Sequence, residues 1–148
     1  MSFGAEVNDW VQQSEKRVDR VFKMSAQKLV DAMLLPKNRG GNMPVDTGNL
    51  RRSLMASTSS MPSINFTATE FSGSDGQIQA TIAGVELGGT LYFGFQAAYA
   101  RRMNYGFHGA DSLGRIYNQE GNAFVELAAQ KWQGFVNDSA RELQNANL

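Results

Sequence analysis

A long amphipathic stripe constrains this chain more than any other feature. From Ala5 to Leu35, apolar side chains recur at Val7, Trp10, Val11, Val18, Val21, Phe22, Leu29, Val30, Met33 and Leu34. Spacings of three and four put them on one face of an α-helix, which would reach about 45 Å at 1.5 Å per residue. A chain of 148 residues is expected to form one domain, 1–148, hiding roughly two thirds of its unfolded surface. A helix over 1–35 outruns what such a domain can cover, and Ser14 and Ser25 interrupt the stripe where apolar residues are due. Part of it is therefore expected to project and meet a neighbouring chain. Pro36, Asn38, Gly40 and Gly41 end it.

The next segment, Pro44-Val45-Asp46-Thr47-Gly48-Asn49-Leu50-Arg51-Arg52-Ser53-Leu54, reads as an ordered turn feeding a short helix. The Asp46 carboxylate is placed to accept from the free N–H groups of Gly48 and Asn49, as N-cap residues do, and its charge suits the helix dipole. Leu50 and Leu54 then face the core. Ile64, Phe66 and Ala68 alternate with polar residues, as do Ile78, Ala80 and Ile82, so 64–71 and 77–84 are predicted to form a hairpin across the turn Ser72 to Gly76. A third strand is expected near Thr90 to Phe95. Ala97 to Met103 reads as a helical turn with Tyr99 and Met103 on one face, and 104–118 as a polar loop. The last helix, 121–145, carries Phe124, Val125, Ala128, Trp132, Phe135, Val136, Ala140 and Leu143. The predicted fold is α+β: a small antiparallel sheet, with the capped short helix in 44–106, flanked by a long N-terminal helix and a C-terminal helix. Trp10 and Trp132, both on helix stripes, are expected in the core.

Charge and chemistry narrow the function. Fourteen Lys and Arg balance fourteen Asp and Glu, so no global positive field holds nucleic acid. Without cysteine, disulfides and thiolate sites are excluded. Met1 to Asp9 has neither the basic nor the apolar region of a signal peptide, and no run of about eighteen apolar residues occurs, so no membrane partner is expected. His108 has only Asp111 and Glu120 nearby in sequence, too few ligands for a metal site. No nucleotide loop or nucleophile elbow is present, so neither cofactor nor catalysis is expected. Asp46-Thr47-Gly48 is also the triplet around the carboxylate of aspartic proteases, where two such groups share one proton. That loop belongs between strands, whereas helices lie on both sides here, so an aspartic-type peptidase using Asp46 is the minor alternative. The pairs Arg51-Arg52 and Arg101-Arg102 suit contacts with carbonyls or carboxylates of a partner.

Two stretches carry a resemblance. Val45-Asp46-Thr47-Gly48-Asn49-Leu50-Arg51-Arg52-Ser53 and, further on, Tyr99-Ala100-Arg101-Arg102-Met103-Asn104-Tyr105-Gly106 resemble a family of small tail-completion proteins from long-tailed double-stranded DNA phages and prophages. Gly121, Phe124 and Ala128 are similar to that family's glycine and aromatic at the start of the C-terminal helix. The chain departs from the pattern at Asn104, where such proteins often have an acid. The resemblance implies a virion protein, assembled in the host cytoplasm, that forms a homo-oligomeric ring of six at the neck between head and tail. Its implied partners are the head connector or portal-side protein and the tail terminator or tail-tube protein, with duplex DNA passing through the lumen. Asp46, Thr47 and Gly48 would form the structural turn, and Arg51, Arg52, Tyr99, Arg101, Arg102 and Tyr105 the subunit or partner contacts. The loops 36–43, 55–63 and 104–118 are expected to be flexible docking segments. A tail-tube terminator ring is the structural alternative.

Overall fold

The computed structural model describes residues 2–146. The stripe becomes a helix, α1 (Phe3–Leu34), whose N-terminus is capped by Ser2 Oγ accepting from the Ala5 N–H at 3.2 Å. Only its C-terminal half has an intrachain partner. Ala26, Val30, Met33 and Leu34 are buried, whereas every residue from Ser2 to Gln13 is exposed. Trp10 is 68% exposed, correcting the expectation that it is core: the helix simply runs on past the body of the protein. Ser25 corrects the reading of an interrupted stripe in the opposite sense. It is fully buried, donates to Val21 O at 2.6 Å, and lies 3.1 Å from the equally buried Ser139 hydroxyl. Two small, mutually satisfied hydroxyls allow the helices to approach closely there.

After α1 the chain turns through a short 3-10 segment (Lys37–Arg39) and forms α2 (Asn49–Arg52), β1 (Leu54–Ser57), α3 (Asp75–Gly84), β2 (Tyr92–Phe95) and α4 (Ala100–Tyr105). Then come β3 (Gly106–Ala110), β4 (Ile116–Glu120), α5 (Phe124–Ala129) and α6 (Trp132–Asn145). The class is α+β, with helices at both ends, as predicted. The strands, however, form two separate antiparallel pairs. In one, β1 pairs with β2 in the register Leu54↔Phe95 to Ser57↔Tyr92. In the other, β3 pairs with β4 from Gly106↔Glu120 to Ala110↔Ile116.

The predicted hairpin of 64–71 with 77–84 does not form. Ile78 and Ile82 are compatible with either period, because four residues apart is one face of a strand and one face of a helix. Ala80 decides: a strand would put it on the face of the two isoleucines, yet it is exposed while both are buried, which only the helical period allows. Within 64–71, Asn65 Oδ1 accepts from the N–H groups of Thr67 and Ala68 at 3.1 and 3.0 Å, an Asx turn that diverts backbone donors from a ladder. Phe66 is left 81% exposed. The edge of β1 is closed instead by Gln77, whose amide accepts from Ala56 N–H at 3.1 Å and donates to Ala56 O. A side chain from α3 thus stands in for a third strand.

The three segments expected to be flexible are tied down within the chain. In 36–43, Lys37 N–H donates to Met43 O at 3.0 Å and Met43 N–H to Leu35 O at 3.1 Å, which seats the Met43 side chain wholly in the core. In 55–63, the first residues belong to β1 and Ser57 Oγ accepts from the Ser59 N–H at 3.1 Å. In 104–118 the predicted loop is most of the β3–β4 hairpin, in which the Phe107 and Tyr117 rings pack 5.7 Å apart. Its tip is organised by Asp111, whose Oδ1 accepts from the N–H groups of Leu113 and Arg115, both at 2.9 Å, while Arg115 Nε donates to Oδ2 at 2.6 Å. Partial desolvation raises the Asp111 pKa, but these donors together with the Tyr117 hydroxyl outweigh it and hold the carboxyl below its ordinary value. A depressed folded pKa means that the contribution is complete above the unfolded Asp value of about 3.9 and is lost as pH falls through the lower folded value. Protection of the Leu113 and Arg115 amides, measured against the intrinsic exchange rate at each pH, is therefore expected to fall selectively on acidification below about pH 4, and Asp111→Asn to produce part of that loss at neutral pH. Unchanged protection in Asp111→Asn would contradict this account.

The core is one continuous cluster: Val30, Met33 and Leu34 from α1, then Met43, Leu50, Leu54, Ile78, Ile82, Phe124 and Ala128. The C-terminal stripe divides at a tight turn, Lys131 N–H to Ala128 O at 3.1 Å, so the predicted single helix 121–145 is two. Phe124 and Ala128 of α5 enter the core. Meanwhile α6 lies along α1, joined by the serine pair, by Lys28 Nζ to Glu142 Oε1 at 2.8 Å, and by an edge-to-face contact of Trp132 on Phe22 at 6.2 Å. No helix among the described residues is long and apolar enough to cross a membrane.

Candidate assembly surface

Asn49 is the joint between the two most distinctive motifs. Glycine at position 48 adopts φ +82°, a left-handed conformation that turns the chain into α2, and a Cβ there would stand 2.8 Å from the Arg52 guanidinium. That turn buries the Asn49 side chain. Its Nδ2 donates to Thr69 O and to the Tyr99 hydroxyl, both at 3.1 Å, and its Oδ1 accepts from Phe71 N–H at 2.8 Å. One buried amide with every polar group satisfied therefore fixes the 45–53 turn, the loop before α3 and Tyr99 relative to one another.

The cap assigned to Asp46 is not made by Asp46. Gly48 occupies the N-cap position, the Thr47 hydroxyl accepts from Asn49 N–H at 3.4 Å, and the exposed Asp46 carboxylate has no hydrogen bond among the described residues. It lies instead on the wall of a hollow of about 380 Å³ bounded by residues 44–50, Tyr99 and Met103. Thr47 and Gly48 keep their structural roles. The left-handed turn at Gly48 places the Asp46 side chain outside the helix end, which removes it from the donors that sequence spacing offers.

The first arginine pair is committed within its own chain. Arg51 Nε donates to Leu34 O at 2.8 Å, satisfying a free carbonyl and placing a cation at the C-terminus of α1, where the helix dipole favours it. Arg52 Nε donates to Phe71 O at 2.7 Å and its Nη1 to Thr47 O at 3.1 Å. In the second pair, Arg102 lies over the Phe107 ring, 3.9 Å from its centre, while Arg101 is exposed. Tyr105 is exposed beside Glu126, and hydrogen bonding to that carboxylate, with its charge, raises the phenol pKa.

Asn104 explains its own departure from the expected acid. It is buried, its Nδ2 donates to both oxygens of Glu126 at 2.9 and 2.8 Å, and its Oδ1 accepts from Val125 N–H at 3.0 Å. An amide at position 104 thus caps α5 from a distance and neutralises no charge. An acid in the same place would face Glu126 as a like charge without a donor to offer it. Burial pushes the Glu126 carboxyl up, yet the bonds from Asn104, its own N–H and Tyr105 leave its pKa lowered. The Asn104 carbonyl also accepts from Ala123 N–H at 2.9 Å, and Met103 O from Asn122 N–H at 2.9 Å. Gly106 and Gly121 meet across this junction: a Cβ on Gly121 would lie 2.5 Å from Asn104 O and 2.8 Å from Gly106 N.

The structure therefore brings 45–53 and 99–106 together through Asn49 and Tyr99, and 99–106 and 121–128 through Asn104 and the glycines. Asn49, Glu126 and Gln77 were not singled out from sequence as joints; an asparagine, a glutamate and a glutamine in polar surroundings have no local signature of burial. His108 lies on exposed β3 with its ring against Asn118 of β4, away from Asn49 and the motif turn. Among the described residues no three metal-ligating side chains gather. No family model, curated protein or solved structure matches this chain.

Proposed function

We propose that this chain is a structural component of a tailed phage or prophage, a ring-forming neck protein that completes the tail and joins it to the head connector while duplex DNA passes through the lumen. The observation that carries the reading is the convergence just described. The residues that resemble the tail-completion family are dispersed over three segments of the sequence, yet the segments meet through Asn49–Tyr99 and the Gly106–Gly121 approach. The exposed apolar face of α1 supports assembly into a larger particle, since Phe3, Val7, Trp10, Val11 and Val18 are all left in water by the single chain.

The function is binding without catalysis. A formal net charge of zero suits a passage through which DNA must move, because rows of uncompensated arginines would hold phosphate with an affinity falling steeply with salt. Six copies, the number that the resemblance implies, would place the neck partners above and below the ring. Of the two arginine pairs, Arg101 is exposed, without an ion pair among the described residues and open to such contacts, whereas Arg51 and Arg52 hold their own subunit together.

The test is native mass measurement of the purified chain, alone and mixed with the connector and tail-tube proteins encoded beside it. Ring-sized species that take up either partner are expected. Arg101→Gln is expected to weaken assembly with little change in melting, and the double variant Arg51→Gln, Arg52→Gln to lower melting first. A chain that stays monomeric with both partners overturns the proposal. Peptide cleavage that disappears in Asp46→Asn would replace it with the peptidase.

A further inference from the structure

The base of the projecting helix carries an apolar groove. It is formed by Val18, Val21 and Phe22 of α1 and by Trp132 and Val136 of α6, with Arg17 at its edge, and has a volume of about 400 Å³. A second hollow, of about 230 Å³, shares Phe22 and Trp132 and continues it toward β2. Neither face of this arrangement has a partner within the chain: Val18 is 60% exposed, and on the arm Phe3 is 81% and Trp10 68% exposed. Water-facing apolar surface of this extent on both a knob and a hollow marks a contact.

We propose that the arm of one copy, residues 3–13, lies in the groove between α1 and α6 of the next copy. The arm cannot fill the groove of its own chain. Both belong to the same uninterrupted helix, and a helix without an internal proline or other break does not fold back on itself within two turns. Charge selects the occupant. The arm carries Glu6 and Asp9 and no Lys or Arg, whereas the flank of the groove carries Lys16, Arg17, Arg20 and Lys131, none of them in an ion pair among the described residues, against Glu15 and an Asp19 already paired with Lys23. An acidic, aromatic helix end thus meets an apolar slot with a basic edge.

One arm contact alone is small. The two arm aromatics bury roughly 150–250 Å² each, which with Val7 and Val11 falls short of the ~800 Å² per partner of a standard stable interface. A subunit that gives its arm on one side and receives an arm on the other makes this contact twice. Such a head-to-tail contact generates a ring when the rotation closes. The inference rests on the ring of the proposed neck function and supplies its subunit interface.

The test uses the full chain and exploits its lack of cysteine. The double variant Val7→Cys, Val136→Cys is expected to give a ladder of disulfide-linked multimers on oxidation, and each single variant none beyond a dimer. Trp10→Asp on the arm and Val18→Glu at the groove, both at exposed positions, are expected to raise the concentration for half-assembly by about thirtyfold or more while leaving circular dichroism and melting unchanged. Mixing the two variants restores 1:1 pairs and no ring, because the arm of Val18→Glu fits the groove of Trp10→Asp while the two altered surfaces remain unpartnered. Wild-type chain that remains monomeric, variants that assemble like wild type, or arm-to-arm cross-linking by Val7→Cys alone without a ladder from the pair would each overturn the inference. Assembly that resists both substitutions and still takes up neck partners removes this contact but keeps the neck reading. Arm-dependent assembly that ignores those partners does the reverse.

Discussion

Phe124→Ala is expected to cost the chain about 3–5 kcal/mol of folding stability. The ring is 1% exposed and stands edge-on to Phe95 at 5.2 Å and 80°. Phe124 opens α5, whose N-terminus is held by Asn104, and its ring reaches β2, which pairs with β1, so truncation leaves a cavity where helix and sheet meet. Both the lost transfer energy and the cavity term act, since the surrounding backbone is tied by hydrogen bonds and collapses poorly around the gap. A protein of this size has about 5–15 kcal/mol in total, so the variant should be partly unfolded at moderate temperature. Urea unfolding followed by circular dichroism measures it. A loss under about 1 kcal/mol would show that the ring is not the keystone of this core.

The second large effect is expected at Gly121. A single methyl there would meet Asn104 O and Tyr105 C at 2.5 Å and Gly106 N at 2.8 Å, all of them backbone atoms that cannot swing aside. Gly121→Ala should therefore reach the upper part of the roughly 1–3 kcal/mol typical of overpacking. It should also disturb the amide signals of residues 104–106, because relief requires the two strands of chain to part. Gly134→Ala supplies the contrast. Gly134 lies within α6 with nothing within 4 Å of the position a Cβ would take, so the same change should stabilise by about 0.5–1 kcal/mol through helix propensity. Equal effects at the two glycines would refute the close-approach argument. If Gly121→Ala also abolishes the proposed neck assembly in a chain that remains folded, the junction it holds belongs to the proposed assembly surface as well.

These two positions bear on function through Asn104. The amide bonded to Glu126 keeps α5 capped and places Tyr105 beside the same carboxylate, so stability and the exposed motif surface share one set of contacts. A substitution in this cluster is accordingly read first by its effect on folding. Arg101, which makes no such intrachain bond, is the cleaner reporter of a partner.

Local sequence determined the elements whose signals act within a few residues. The stripe from Val7 to Leu34 specifies α1 because the 3.6-residue period persists over many turns and no strand reading competes with it. Leu50 and Leu54 are buried as predicted, and the helical turn expected over 97–103 forms two to three residues later, at Ala100–Tyr105. What tertiary structure alone decided is everything in which one side chain satisfies a distant backbone. Ile78 and Ile82 fit two periods, and only the core surface that takes both isoleucines while leaving Ala80 in water selects the helix. The 106–120 hairpin was hidden because its strands are polar and glycine-containing, and its stability comes from Asp111 gathering donors across the turn. Asp46 loses the cap to Gly48 because a left-handed backbone, invisible in residue spacing, redirects the turn. Asn49 and Asn104 became buried joints for the same reason: an amide gains its worth only when folding removes water and brings its partners within reach.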